Sequence, residues 1–353
     1  MIPLFRPSLM IRALAATAAL STTLIVAAPA GAAADTDAPL HATVPTNRPD
    51  IHAFAKPESG FNAETASTAD LKKHGLPRRP SATAKPQALR QWQDVIRHAK
   101  HAITPQFSPR PQARRAPQFT RGSGTSNNWS GAVDSQPVCA RRFFCPITPA
   151  PAVTGVEGIW TIPSVEGSGQ VGTVSTWVGL DGFSNNQVQQ IGTDATNTDF
   201  GFAMYEPWYE LYPDGSQTIP NLPIGPGDQM YGMVQYEAGN QIWFFMEDLT
   251  TGDYSSFVVP ATYSSLGQSA EWIMERPEYN GTFDHPLPYF GSQMLSDLYF
   301  WNDNGNFYPA LASFPYTLTL LDMYGFSGDQ LDHTDPNPDG TSASSTITWL
   351  NYQ

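Results

Sequence analysis

The fold class this sequence predicts is all-β, with a single antiparallel sandwich over residues 123–353. Three observations carry it. From residue 123 onward, short runs rich in β-branched and aromatic residues recur between turn signals such as Asp-Gly and Pro-Asp-Gly. Over those same residues no long stretch shows the 3.6-residue apolar period of a helix. Charged residues make up only 14% of the chain, a composition that suits an exported β protein better than a helical cytosolic one.

The chain opens on a processing segment. Arg6 and Arg12 precede an apolar run over residues 13–28, and Pro29 and the small residues of "AGAAAD" follow. That order predicts a signal peptide over residues 1–34. The apolar run is short for a membrane anchor and carries Thr and Ser. No later segment approaches the roughly 18 apolar residues of a spanning helix. The expectation is a secreted, extracellular protein with no membrane contact after signal cleavage.

A charge boundary follows near residue 122. Residues 35–122 hold 14 Lys and Arg against 7 Asp and Glu, and five of the seven histidines. The segment is rich in Pro and Ala and poor in apolar residues, so most of it is expected to be extended when alone. "QALRQWQDVIRHAKHA" at 87–102 differs. Leu89, Trp92, Val95, Ile96 and Ala99 fall at helical spacing after Pro86, which predicts one amphipathic basic helix.

Residues 123–353 hold 25 Asp and Glu against three basic residues, Arg141, Arg142 and Arg276, and no lysine. A basic segment joined to so acidic a domain docks on it by complementary charge. This favours a propeptide over a nucleic-acid or membrane-binding arm. Acid neutralises the carboxylates and charges the histidines, which weakens the docking. The basic boundary "QARRAPQFTRGSG" is open to cleavage. The segment is therefore expected to be an intramolecular inhibitor, and the chain an acid-activated zymogen. A domain with so few cations has few salt bridges to lose in acid, which suits acid work.

The predicted strands run in order. They are "GIWTIP" at 158–163, "VSTWVGLDG" at 174–182, "MYEPWYELYPDG" at 204–215, "QMYGMVQYEAG" at 229–239 and "QIWFFMEDLTTG" at 241–252. "SSFVVPATY" at 255–263, "AEWIME" at 270–275, "YTLTLLDMYG" at 316–325 and "STITWLNY" at 345–352 complete the set. "TTGD" at 250–253 is expected to close a hairpin. Cys139 and Cys145 flank "ARRFF", and in an oxidising compartment they are expected to form a small loop disulfide. Asn128 and Asn280 fit the Asn-x-Ser/Thr pattern. Nothing in the sequence argues for a metal, an organic cofactor or an oligomer, so a monomer is expected.

One strand poses a question. "SAEWIME" alternates like a half-buried strand, yet it puts Glu271 directly before Trp272, and an unpaired buried carboxylate is costly. The answer comes from motif order. "NNWSGAV" at 127–133, "GIWTIPSV" at 158–165, "WVGLDG" at 177–182, "QQIGTD" at 189–194, "WYELYPD" at 208–214 and "AEWIMERP" at 270–277 occur in sequence. Together they resemble the glutamic peptidase family, the eqolisins, over roughly residues 124–353. The resemblance implies two curved antiparallel sheets of the concanavalin A-like or jelly-roll type, with a concave substrate face. It implies protein or peptide substrates.

The resemblance also implies a catalytic Gln and Glu, which match Gln190 and Glu271. Glu271 is then expected in a wet cleft beside Gln190. A carboxylate there accepts a proton from water and returns it to the leaving amine. The amide of Gln190 donates to the oxyanion and does not titrate. A base active well below the usual glutamate range of about 4.3 needs donors that hold it ionised. Trp177 and Asp181 match the "WVGxDG" strand and turn as cleft or support residues. Glu206, Trp208 and Glu210 share one strand face by their alternate spacing. Glu206-Pro207 replaces the family's Asp-Ala, and proline lacks a backbone donor.

Rival readings stay open at this point. Glu206, Glu210 and Glu271 are carboxylates of the kind that cleave glycosidic bonds, so a glycoside hydrolase is the enzyme alternative. An aromatic β surface also suits a carbohydrate-binding module. An aspartic peptidase is disfavoured because the duplicated Asp-Thr/Ser-Gly pair is missing.

Overall fold

The computed structural model describes residues 43–82, 84–110, 124–137, 150–167, 169–278, 285–311 and 315–352. The expected signal peptide, the basic boundary at 112–123, Cys139, Cys145 and Asn280 lie outside the described residues.

The basic segment carries β1 (Thr43–Pro45), β2 (His52–Phe54), α1 (Thr68–Lys73), α2 (Pro86–His98), β3 (His101–Ala102) and β4 (Ser108–Pro109). The acidic part follows with β5 (Thr125–Ser126), β6 (Trp129–Ser135), β7 (Val153–Thr161), β8 (Gly172–Leu180) and β9 (Val188–Asn197). Next come β10 (Ala203–Tyr212), β11 (Gly215–Thr218), β12 (Gln229–Glu237), β13 (Gln241–Asp248) and β14 (Asp253–Pro260). The last are β15 (Ser269–Glu275), β16 (Ser292–Asn302), β17 (Phe307–Pro309), β18 (Thr317–Met323), β19 (Asp332–Pro336) and β20 (Ser345–Trp349).

They form two sheets. The first runs β1-β2-β14-β13-β12-β7-β16-β20-β19, and the second runs β4-β11-β10-β9-β8-β15-β6-β18-β5. Pairing is antiparallel except for two-residue parallel contacts of β3 with β14 and β5 with β18. The predicted hairpin is present: Asp248 pairs with Asp253 across 249–252, and its carboxylate accepts the Thr250 N–H at 2.8 Å.

Alternation along the strands gives each sheet two different faces. The inner faces meet in one core, with Val178, Ile191, Tyr209 and Trp272 from the second sheet against Val156, Trp160, Phe244 and Phe300 from the first. Each such side chain contributes roughly 1.5–3 kcal/mol by leaving water. The outer face of the second sheet holds its own buried cluster of Trp129, Val133, Trp177, Trp208, Ile273 and Leu321.

The outer face of the first sheet is covered by the basic segment. Leu71, Leu76, Trp92, Val95 and Ile96 pack on Tyr231, Trp243, Phe245, Tyr254 and Trp301. Ser67 caps α1 by accepting the Asp70 N–H, and Pro86 starts α2 with φ preset for a helix. The expected helix ends at His98, and His101–Ala102 becomes a strand instead. The docking also differs from an exchange of charges alone. Lys72 meets Glu237 at 2.7 Å, but most of the contact is apolar and aromatic.

The segment then turns around the edge of the sandwich. β2 and β3 pair with β14, Phe107 enters the main core against Tyr209 and Phe257, and β4 pairs with β11 of the second sheet. The path delivers Arg110 to the outer face of that sheet. Among the described residues no helix is long and apolar enough to cross a membrane.

Candidate active site

Register places the expected residues in rows across the outer face of the second sheet. Gln190 on β9 and Glu271 on β15 both stand opposite Gly179 on β8, and Glu210 on β10 stands opposite Gln190. Directly opposed residues share a face. Two strand spacings of about 4.8 Å separate the backbones of Gln190 and Glu271 by about 9–10 Å. Gly179 keeps the space between them open. A Cβ there would meet the Trp177 ring at 2.9 Å and the Gln190 Cβ at 3.1 Å.

The next row holds Trp208, Gly192, Trp177 and Ile273, and the one beyond it Glu206, Asp194, Ser175 and Glu275. Sequence reasoning linked Glu206, Trp208 and Glu210 correctly to one strand face. Pro207 does not break β10: it keeps register with Thr193, and its carbonyl accepts the Ile219 N–H at 2.8 Å.

Gln190 donates from Nε2 to Glu210 Oε2 at 2.9 Å. Glu271 is fully buried rather than wet. Trp177 and Ile273 sit in the adjacent row, and Val133 stands opposite on β6, so apolar groups surround the carboxyl. No hydrogen bond of good geometry reaches either oxygen among the described residues. Burial pushes the Glu271 carboxyl well above the usual range. Weak contacts from the Ser269 hydroxyl and the Phe183 N–H oppose this, and the charge of Asp181 adds to it. The donors expected to hold this base ionised therefore do not prevail in this state.

Its neighbours follow the same physics. Burial raises Glu210 to about 8, against the pull of Arg110 and the Gln190 hydrogen bond. Burial raises Glu275 to about 7, opposed by Arg110 and by the indole N–H groups of Trp177 and Trp129. Trp177 Nε1 lies 2.8 Å from Glu275 Oε2, and Asn128 donates to Glu275 Oε1 at 3.3 Å. Asn128 is itself buried, so its Asn-x-Ser pattern is occupied by a structural contact. Burial raises Glu206 as well, although it is half-exposed.

Asp181 lies at the end of β8 in a left-handed backbone conformation, φ 65°. It accepts the backbone N–H groups of Leu266, Gly267 and Gln268 at 2.8–3.0 Å, the Tyr236 hydroxyl at 2.6 Å and the Asn185 amide at 3.0 Å. It ties the loop before β15 to both sheets and so holds Glu271 in place.

Arg110 was not singled out from the sequence, and it is the cation of this face. It grips Asp194 through Nη2 at 2.7 Å and Nε at 3.0 Å, and its guanidinium stacks 4.0 Å over the Trp208 ring. Ser175 donates to Asp194 at 2.6 Å. Nothing in "FSPRPQ" marks Arg110 as special. Glu275 had a signal, since Glu271, Ile273 and Glu275 alternate on one strand. Asp194 closes the quoted "QQIGTD". Among the described residues no group of His, Cys, Asp and Glu is placed to hold a metal ion.

Comparison with known proteins points one way. A family model described as the Peptidase A4 family matches residues 127–319. Aspergillopepsin-2 of Aspergillus niger is 28% identical over 172 residues, 42% of this chain and 56% of that protein. Scytalidopepsin B of Scytalidium lignicola is 31% identical over 123 residues, 34% of this chain and 45% of that protein. The chain spans about half the length of the curated relatives it matches. A crystal structure of scytalido-glutamic peptidase with a transition state analog inhibitor aligns with TM-score 0.50 and 20% identity. The alignment covers 64% of this chain and 98% of that one, and it shows the shared fold.

Proposed function

The chain belongs to the Peptidase A4 family, and from that premise we propose that it is a secreted, acid-active endopeptidase made as a zymogen. The single observation that carries the reading is the row Gln190–Gly179–Glu271. It sets an amide and a carboxyl on one sheet face with an empty position between them.

The chemistry needs only these groups and water. An ionised Glu271 takes a proton from water as its oxygen attacks the scissile carbonyl carbon. The carbonyl oxygen becomes an oxyanion and accepts a hydrogen bond from the Gln190 amide. Glu210, which already holds that amide, orients it. The tetrahedral adduct collapses, the C–N bond breaks, and Glu271 returns the proton to the leaving amine.

The uncut chain is held inactive in two ways. The basic segment brings Arg110 into the cleft on Asp194 and Trp208, and burial keeps Glu271 protonated. Cleavage at the basic boundary then frees the face, and water reaches Glu271. Sandwich-fold substrates of another class are tested by the same experiment.

The parent chain, Glu271→Gln and Gln190→Ala are incubated at pH 3 with a denatured protein and with polysaccharides. Peptide cleavage by the parent alone is expected. Cleavage by folded Glu271→Gln, or polysaccharide cleavage that survives Gln190→Ala, would overturn the reading.

A further inference from the structure

We propose that the basic segment is not discarded on activation: its helices and first three strands stay on the outer face of the first sheet as a non-covalent subunit of the working enzyme, and only the Arg110 end leaves the cleft. The inference rests on reading the chain as a precursor cut after residue 110.

The segment meets the sandwich in two unlike ways. At the Arg110 end the contact is polar, an ion pair with Asp194. Over the first sheet it is a shared apolar core. Leu71 and Trp92 are almost fully buried, as are Tyr231, Trp243, Phe245 and Trp301 beneath the segment. Without the cover these aromatic side chains would form one exposed apolar patch of the kind that soluble monomers avoid.

Directional bonds lock the same contact. Ser256 accepts the Trp243 indole N–H at 2.9 Å and donates to the Gly75 carbonyl at 2.7 Å. Gln91 donates to the Asp297 carbonyl at 3.0 Å. β2 and β3 saturate part of the free edge of β14, which otherwise offers unpaired backbone groups to other chains.

Acid works in favour of this cover. Glu157 lies on the covered face with the Tyr231 hydroxyl 2.7 Å away, and Arg78 and Asp297 are its charged neighbours. Burial raises Glu157 to about 8; the Tyr231 bond and Arg78 oppose the rise, and Asp297 adds to it. Glu247 on β13, with Asp248 beside it and Tyr231 and Tyr254 on the flanking strands, is raised by the same burial. Carboxyls raised by the cover favour it fully below about 4.5 and cease to do so as pH rises through about 8. The Lys72–Glu237 and His101–Asp253 pairs add little to the hold, because Lys72 and His101 are largely exposed.

The test uses the full chain carrying Glu271→Gln, so that its outcome does not depend on the enzyme's own activity. Brief trypsin treatment nicks the basic boundary, and size-exclusion chromatography at pH 7 and pH 3 with mass spectrometry of each fraction follows. Co-elution of both pieces at pH 3 is expected. Release of the segment at pH 3 from a folded sandwich would overturn the proposal. In a nicked Trp92→Ala chain, dissociation should increase by about a hundredfold or more, the equivalent of losing a large core side chain. If that variant does not fold uncut, Ile96→Ala takes its place with a smaller increase. Unchanged retention in the variant would overturn the apolar face as the holder. Failure of the peptidase reading leaves this result intact, because no catalytic step enters it.

Discussion

Gln190 and Glu271 flank a single glycine, Gly179, which pairs with one on each side. The gap between them therefore depends on the absence of a side chain. Gly179→Ala should lower kcat by about a hundredfold, as expected for displacing a reacting group by a fraction of an ångström to 1 Å. Steady-state kinetics and a melting curve check this. Full activity in a folded variant would remove Gly179 from the design of the site.

Glu210 accepts the Gln190 amide, which makes it a positioning residue in the proposed mechanism. Glu210→Gln replaces a carboxyl that is already neutral below about 8 with a carboxamide whose own N–H groups compete for the site, and kcat should fall about tenfold with KM nearly unchanged. The pH profile should also shift, because a group raised to about 8 next to the site is gone. A purely structural role would lower the melting temperature and leave the profile in place.

In the proposed zymogen, Arg110 to Asp194 is the link that keeps the uncut chain shut. Arg110→Ala should hydrolyse a short fluorogenic peptide at pH 3 without the lag of the parent chain. Asp194→Asn should do the same. A lag of the parent's length in both variants would show that closure lies elsewhere.

Glu210 and Glu275 make the uncut fold more stable in acid. Their folded values of about 8 and about 7 lie above the ordinary 4.5, so their contribution is complete below about 4.5 and is lost as pH rises through about 7 and 8. Glu275 alone accounts for on the order of 3 kcal/mol. Thermal scans of the Glu271→Gln chain should give a melting temperature about 10 °C higher at pH 4 than at pH 8.5. Glu275→Gln should flatten that slope.

Asp181 accepts three backbone N–H groups and the Tyr236 hydroxyl from the facing sheet. Asp181→Asn should cost about 3 kcal/mol of stability, because a buried acceptor cluster loses its charge. Denaturant unfolding measures it.

The sandwich was legible because its strands alternate and end on turn dipeptides. β16 was not, although it is a long strand of the first sheet. Its pairing with β7 shifts register between Ser296 and Tyr299, where Asp297 takes φ 51°, and the bulge breaks the two-residue alternation that marks a strand. Gln190, Glu210 and Glu271 stand out as candidates through motif and spacing, and the register adds that Gln190 and Glu271 flank one position with Glu210 beyond Gln190. The burial of Glu271 was not legible, since it depends on groups brought in from β6, β8 and the 181–183 turn. Arg110 was invisible for a similar reason. Its role depends on a path around the edge of the sandwich that no local pattern encodes.

The acidic part of the chain brings almost no cations of its own, and the positive charge set among Asp194, Glu206, Glu210 and Glu275 belongs to Arg110 of the basic segment. If that arginine leaves as proposed, Glu206, Glu210 and Glu275 lose a charge that lowers their hold on protons. On the proposed reading, hydrogen ions thus take over in the open cleft the place that a guanidinium fills in the closed one.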